Sequence, residues 1–284
     1  MLKVTLCIAL CSPALSVCPS VSPCSLREKE LQLYLRGAPK SGTTRIEIIM
    51  ETLFYEYCRS DCLLCSVTGW SRDALQMRFD DGCTIRFSAI NKHAVNEVTY
   101  LLEGSNVVVA TMRDPRDVAM STSRYTGQHS RQYLQRTCTS STRSQSRFFT
   151  TISNHRSSKN EGVTVVLYEK SVMQPENTIT GLGKLLGLPL SHATVCRVAD
   201  FSQFNTLARI QKHFNFTIRA KWNNATPKGP KLADGSICQW TAQAKTVFQA
   251  CKEVMESSLP KELAATWLHE SSPCNSDSSG TPKR

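Results

Sequence analysis

Three short apolar runs punctuate the chain, and two are followed by a turn and a segment of helical spacing. Leu31–Leu35 (LQLYL) reads as a β-type run ending at Gly37. Thr44–Tyr57 then places Ile46, Ile49, Met50, Leu53, Phe54 and Tyr57 near the helical period, so the first unit is strand, loop, helix. Val107–Met112 (VVVATM) is a near-continuous apolar run, as suits a strand covered on both faces. Asp114-Pro115 after it has an N-cap residue followed by Pro at the first helical position. Val163–Tyr168 reads as a third strand, and Glu176–Leu186 as a helix that Gly187-Leu188-Pro189 ends. Strands alternating with helices predict an α/β fold: a central, mainly parallel sheet flanked by helices. Ligands in such folds sit at the carboxyl ends of the strands, where these loops would lie.

The 284 residues are 40% hydrophobic and 20% charged, a globular balance. After the first 20 residues no run of about 18 apolar residues occurs, so no internal membrane span is expected. Met1-Leu2-Lys3, an apolar Val4–Leu10 and small residues at Pro13-Ala14-Leu15-Ser16 have the form of a secretory signal peptide over 1–16. The remaining expectations are a linker over 17–30, one domain over 31–270 and a disordered Ser/Pro-rich tail over 271–284. Thirteen cysteines suit an oxidising compartment, and cleavage at Ser16 removes Cys7 and Cys11. The expected location is the secretory pathway, as a Golgi-lumen or secreted glycoprotein, or the cytoplasm if the leader is not a signal. Asn215-Phe216-Thr217 and Asn224-Ala225-Thr226 are glycosylation acceptors. Cys58, Cys62 and Cys65 have a spacing that can hold iron–sulfur, but an oxidising compartment favours disulfides, with pairings that sequence does not give.

Charge adds a bias toward anionic partners: 34 basic against 23 acidic residues, net +11. Residues 118–160 hold no Asp or Glu but carry Arg124, Arg131, Arg136, Arg143, Arg147, Arg156 and Lys159. This segment is either a solvated helix pair or a wall attracting an anionic acceptor. The first loop, Gly37-Ala38-Pro39-Lys40-Ser41-Gly42-Thr43-Thr44, has the form of a phosphate cradle. Small residues let backbone N–H groups approach an anion, and the helix that follows adds its dipole. It is not a Walker A loop, because Thr43 stands where that pattern has Lys. In Arg113-Asp114-Pro115-Arg116-Asp117, Arg113 can fork onto a phosphate, with Ser121 eight residues on. By itself the string fits a salt-bridged turn equally well.

PKSGTT at 39–44 after a strand, with RDPRD and a Ser eight residues beyond its first Arg, resembles the sulfotransferases that use 3′-phosphoadenosine 5′-phosphosulfate (PAPS). The resemblance runs over residues 30–268 and implies a P-loop-like sulfotransferase fold. It implies a 5′-phosphosulfate loop at Lys40, Ser41, Gly42, Thr43 and Thr44, and 3′-phosphate contacts at Arg113 and Ser121. The general base would be His93, next to Lys92, with Glu47 as the fallback carboxylate. Tyr168, Phe201, Lys228 and Gly229 would complete the cofactor site. Arg45 replaces a common base-stacking Trp and could stack through its guanidinium plane. Lys40 would stabilise the leaving phosphate, and no metal is needed. The acceptor would be a hydroxyl, on a carbohydrate or anionic glycan by compartment and charge, and no nucleic-acid partner is expected. The rival readings are a non-catalytic secreted Cys-rich module binding acidic polymers and a P-loop nucleotide kinase.

Overall fold

The computed structural model describes residues 30–62, 65–71, 74–89, 92–93, 95, 98–102, 106–158, 162–203, 240 and 242–269. The expected signal peptide, most of the linker, the tail, both glycosylation triplets, Lys228 and Gly229 lie outside the described residues.

β1 spans Glu30–Gly37, starting inside the expected linker, and α1 spans Thr43–Glu56. A five-residue π-type turn, Tyr57–Asp61, ends α1. Then come β2 (Cys65–Ser71), β3 (Ala74–Phe79), β4 (Thr84–Ser88), α2 (Val98–Leu102) and β5 (Val107–Met112). α3 (Pro115–Thr126) and the long α4 (Arg131–Ser158) follow, then β6 (Val163–Leu167), α5 (Tyr168–Met173), α6 (Pro175–Leu185) and α7 (His192–Phe201). α8 (Ala242–Ser258) and α9 (Lys261–Leu268) complete the described elements.

The six strands lie in the order β2-β3-β4-β1-β5-β6. β1 pairs parallel with β4 and β5, and β5 pairs parallel with β6, while β2-β3-β4 form an antiparallel meander. The expected sheet, parallel at its centre and covered by helices, is therefore present. The meander was not expected. Its signal is period-two alternation: Leu75, Met77 and Phe79 face the core between Gln76 and Arg78, and Asp81-Gly82 supplies the turn into β4.

Two cores explain why β5 is apolar at every position but Thr111. Val107 and Val109 pack with α1, α7 and the meander, whereas Val108, Ala110 and Met112 pack with α4, α8 and α9. Cys58–Cys65 and Cys138–Cys251 are disulfides, and Cys62 and Cys83 are also disulfide-bonded. The cluster at 58, 62 and 65 is thus oxidised rather than a metal ligand set. No helix among the described residues is long and apolar enough to cross a membrane.

Register fixes where the loops go. Gly37 at the end of β1 pairs with Thr111, and Met112 at the end of β5 pairs with Leu167 at the end of β6. The segments that follow, starting at Ala38, Arg113 and Tyr168, therefore leave the sheet side by side. The Lys92 carbonyl accepts from the Gly37 N–H at 2.8 Å, which brings the segment after β4 to the same edge.

Candidate functional site

The loop from Ala38 to Gly42 turns sharply enough to require unusual backbone. Gly42 has φ 97° and Lys40, a non-glycine residue, φ 66°. A left-handed Lys is uncommon, and such strain persists only where the surroundings hold it. Neither glycine of the loop admits a side chain. A Cβ on Gly37 would lie 2.0 Å from Thr111 Oγ1, and one on Gly42 would lie 2.3 Å from Tyr168 Cδ2. The Ser41 and Thr111 hydroxyls are 2.8 Å apart, tying the loop to β5. No side chain caps the N-terminus of α1 and no acidic residue occupies its first turn. The first N–H groups of α1, from Thr43 and Thr44, have no acceptor within the helix and face outward with the positive end of its dipole.

Cationic groups gather around this helix start. Lys40 Nζ lies 3.5 Å from the centre of the Tyr125 ring. Burial holds the Lys40 ammonium below its ordinary pKa, and the nearby Arg113 charge adds to that effect. The Arg113 guanidinium stacks 4.1 Å over the Tyr168 ring and lies 3.6 Å from Asp117 Oδ2. Its backbone N–H donates to Gln145 Oε1 at 2.9 Å. The remaining charges of the RDPRD segment are engaged in the fold. Arg116 binds both Asp114 oxygens, the shortest contact being 2.6 Å, and donates to the Trp267 carbonyl at 2.7 Å. Asp117 accepts from Trp240 Nε1 at 2.8 Å. The segment is thus a salt-bridged turn, in which Arg113 too is buried and paired with Asp117.

His93 Nδ1 is 3.0 Å from the Gly37 carbonyl. A carbonyl can only accept, so Nδ1 carries the proton and Nε2 is left with its lone pair. Burial, with Lys92 and Lys40 nearby, holds the His93 pKa below its usual value, against the opposing pull of the Gly37 contact and Glu47. The ring is therefore neutral at neutral pH. Lys92 Nζ forms a 2.5 Å ion pair with Glu47 Oε2, so the fallback carboxylate serves as the partner of Lys92.

Arg45 differs from expectation. Instead of offering an open guanidinium plane to a base, it is buried and donates to the Ser202 carbonyl at 2.6 Å and the Ser171 carbonyl at 2.8 Å. Those carbonyls end α7 and α5, where helix geometry leaves acceptors without partners. Ser121 is partly buried two turns along α3, and Phe201 is exposed at the end of α7. Sequence reasoning missed Tyr125, although it lies four residues after Ser121 on one helix face, and it assigned no role to Thr111 or Gln145.

Beneath the site lies a carboxyl that sequence reasoning left without a role. Glu169 is buried; its Oε1 accepts from the Asp114 N–H at 2.8 Å, while Oε2 is buried without a hydrogen-bond partner. Burial, with Asp114 as the next contributor, pushes its pKa up to about 7.

No protein-family model matches the sequence, and no curated protein matches it. Solved structures do resemble the fold. A retinol dehydratase in complex with retinol and PAP has a TM-score of 0.51 at 12% identity, covering 84% of this chain and 83% of that one. A retinol dehydratase with androsterone and inactive cofactor PAP has a TM-score of 0.48 at 11% identity, covering 85% and 82%. Mouse sulfotransferase SULT7A1 complexed with PAP has a TM-score of 0.46 at 13% identity, covering 82% and 87%. The chain shares the fold of the retinol dehydratase solved with retinol and PAP.

Proposed function

We propose that this protein transfers a sulfuryl group from PAPS to an acceptor hydroxyl. The observation that carries the reading is the convergence of a side-chain-free glycine cradle, Lys40, Arg113 and a neutral His93 at one edge of a sulfotransferase-type sheet. Gly37 and Gly42 let the loop close onto Thr111 and Tyr168, and Lys40 and Arg113 would supply the cationic grips on the nucleotide.

PAPS supplies an activated sulfuryl group when bound. The N–H groups of Gly42, Thr43 and Thr44, with the Ser41 hydroxyl behind them, hold the 5′-phosphate end. Lys40 would neutralise charge on the departing phosphate oxygens. Arg113 and Ser121 would grip the 3′-phosphate, with Tyr168 keeping the Arg113 plane in place. Phe201 offers its exposed ring to the base. Lys228 and Gly229 belong to the segment assigned to close over the 3′-phosphate. Arg45 acts indirectly by fixing the ends of α5 and α7. Nε2 of His93 takes the acceptor proton, for which a neutral imidazole is required. Glu47 acts through Lys92 and holds the segment that carries His93.

The acceptor assigned is a carbohydrate hydroxyl, and the location assigned is the secretory pathway. The disulfides Cys58–Cys65 and Cys138–Cys251 support that compartment. The test is turnover of labelled PAPS by purified protein against glycans and phenols. Lys40→Ala and His93→Ala should each lower kcat by about a hundredfold or more. Wild-type turnover by Lys40→Ala would reject the assignment.

A further inference from the structure

The faces of α4 differ sharply. Leu134, Cys138, Thr142, Gln145, Phe148 and Ile152 are buried along one side. Exposed along the opposite side are Arg136, Ser140, Arg143, Arg147, Thr150 and Asn154. At about 100° per residue, these six fall within about 40° of a single line, and at about 1.5 Å per residue they form a ridge about 27 Å long. Arg136, Arg143 and Arg147 are spaced about 10 and 6 Å apart along it. No Asp or Glu occurs in the 28 residues of α4. None of the ion pairs among the described residues engages the three arginines.

The ridge also faces away from the Arg113 loop. Gln145 reaches the Arg113 N–H from the buried side, so the arginines point away from Arg113 and the loop that carries it.

We infer that this ridge is a docking face for a linear acidic polysaccharide. A row of guanidinium forks separated by hydroxyl and amide side chains matches a polymer with anionic groups at intervals and hydrogen-bonding hydroxyls between them. Nucleic acid is the poorer fit, since single strands are gripped by stacking on aromatic rings and the ridge carries none. The same helix is cross-linked through Cys138–Cys251, a bond that suits an oxidising compartment. If the protein acts on such a polymer, tethering it here raises its local concentration at the reaction site. The binding itself does not depend on the proposed reaction.

The probe is a heparin octasaccharide, measured by calorimetry and by elution from immobilised heparin. The variant Arg136→Ser/Arg143→Ser/Arg147→Ser should weaken octasaccharide binding at least tenfold and elute at lower salt. A matched variant on other faces, Arg59→Ser/Arg78→Ser/Lys184→Ser, should bind like wild type. Both should melt and bind PAP like the parent, so a failed nucleotide reading leaves the ridge test intact. A desulfated octasaccharide assigns the anionic groups: binding kept points to carboxylates, binding lost to sulfates. Equal losses from the two triple variants, unchanged binding by the ridge variant, or tighter ridge-dependent binding of poly(dT) would overturn the inference.

Discussion

Replacing Glu169 by Gln should stabilise this protein at alkaline pH. The carboxyl is buried beside Asp114, with Asp117 also close by, and its Oε2 has no hydrogen-bond partner. Asp114 is held by Arg116, and Asp117 faces Arg113. An unfolded glutamate loses its proton near 4.5, whereas burial keeps this one protonated up to about 7. Between those values the unfolded chain gives up a proton that the native protein retains, so stability falls as pH rises from 4.5 towards 7. The loss levels off above that window. At about 1.4 kcal/mol per pH unit the full loss is about 3 kcal/mol. Gln keeps an acceptor for the Asp114 N–H, never ionises, and can turn its amide toward the neighbouring carboxylates. Thermal melts from pH 5 to pH 8.5 read the difference. At about 2–4 °C per kcal/mol, Glu169→Gln should melt on the order of 5–10 °C above wild type at pH 8.5. The two should converge toward pH 5. A variant that melts below wild type at pH 8.5 by as much as at pH 5 would refute the reasoning, because Glu169 would then be ionised and compensated in the native state.

Gly42→Ala should abolish nucleotide binding and lower the melting temperature, since φ 97° and a 2.3 Å approach to the Tyr168 ring leave a methyl group no room; calorimetry and melting check both. Arg45→Ala should cost about 2–6 kcal/mol in urea unfolding, about 1–3 for each of the buried Ser171 and Ser202 carbonyls stripped of its donor, whereas a merely base-stacking Arg45 would lose nucleotide affinity with stability intact. Because burial and nearby cations hold the His93 pKa below its usual value, the acid limb of kcat against pH should fall below pH 6.5 and disappear in His93→Ala.

Much of the central sheet was legible because its patterns are local. The near-continuous apolar run Val107–Met112 signals burial on both faces, and the structure supplies both cores. Asp114-Pro115 signals a helix start, and Asp114 indeed accepts from the Arg116 N–H. The meander was missed although Leu75, Met77 and Phe79 alternate, because a strand–helix rhythm elsewhere hides a change of period. In the site, Lys40 and Arg113 were legible from spacing within short loops. The partners that orient them were not, since Gln145, Tyr125 and Thr111 arrive from elements that only tertiary packing brings close. Arg45 shows the limit most clearly: its identity as a departure from Trp was visible, but the two helix ends it caps lie 126 and 157 residues away.

The central claim is that two separated cationic grips hold one doubly phosphorylated nucleotide. Titration calorimetry with PAP tests it most directly. Folded wild-type protein should bind one PAP per chain without added metal, and Arg113→Ala and Lys40→Ala should each weaken binding by about 1.5–3 kcal/mol, the range for a hydrogen bond to a charged group. A cooperatively melting protein that takes up no PAP, or one whose affinity is unmoved by both substitutions, would contradict it.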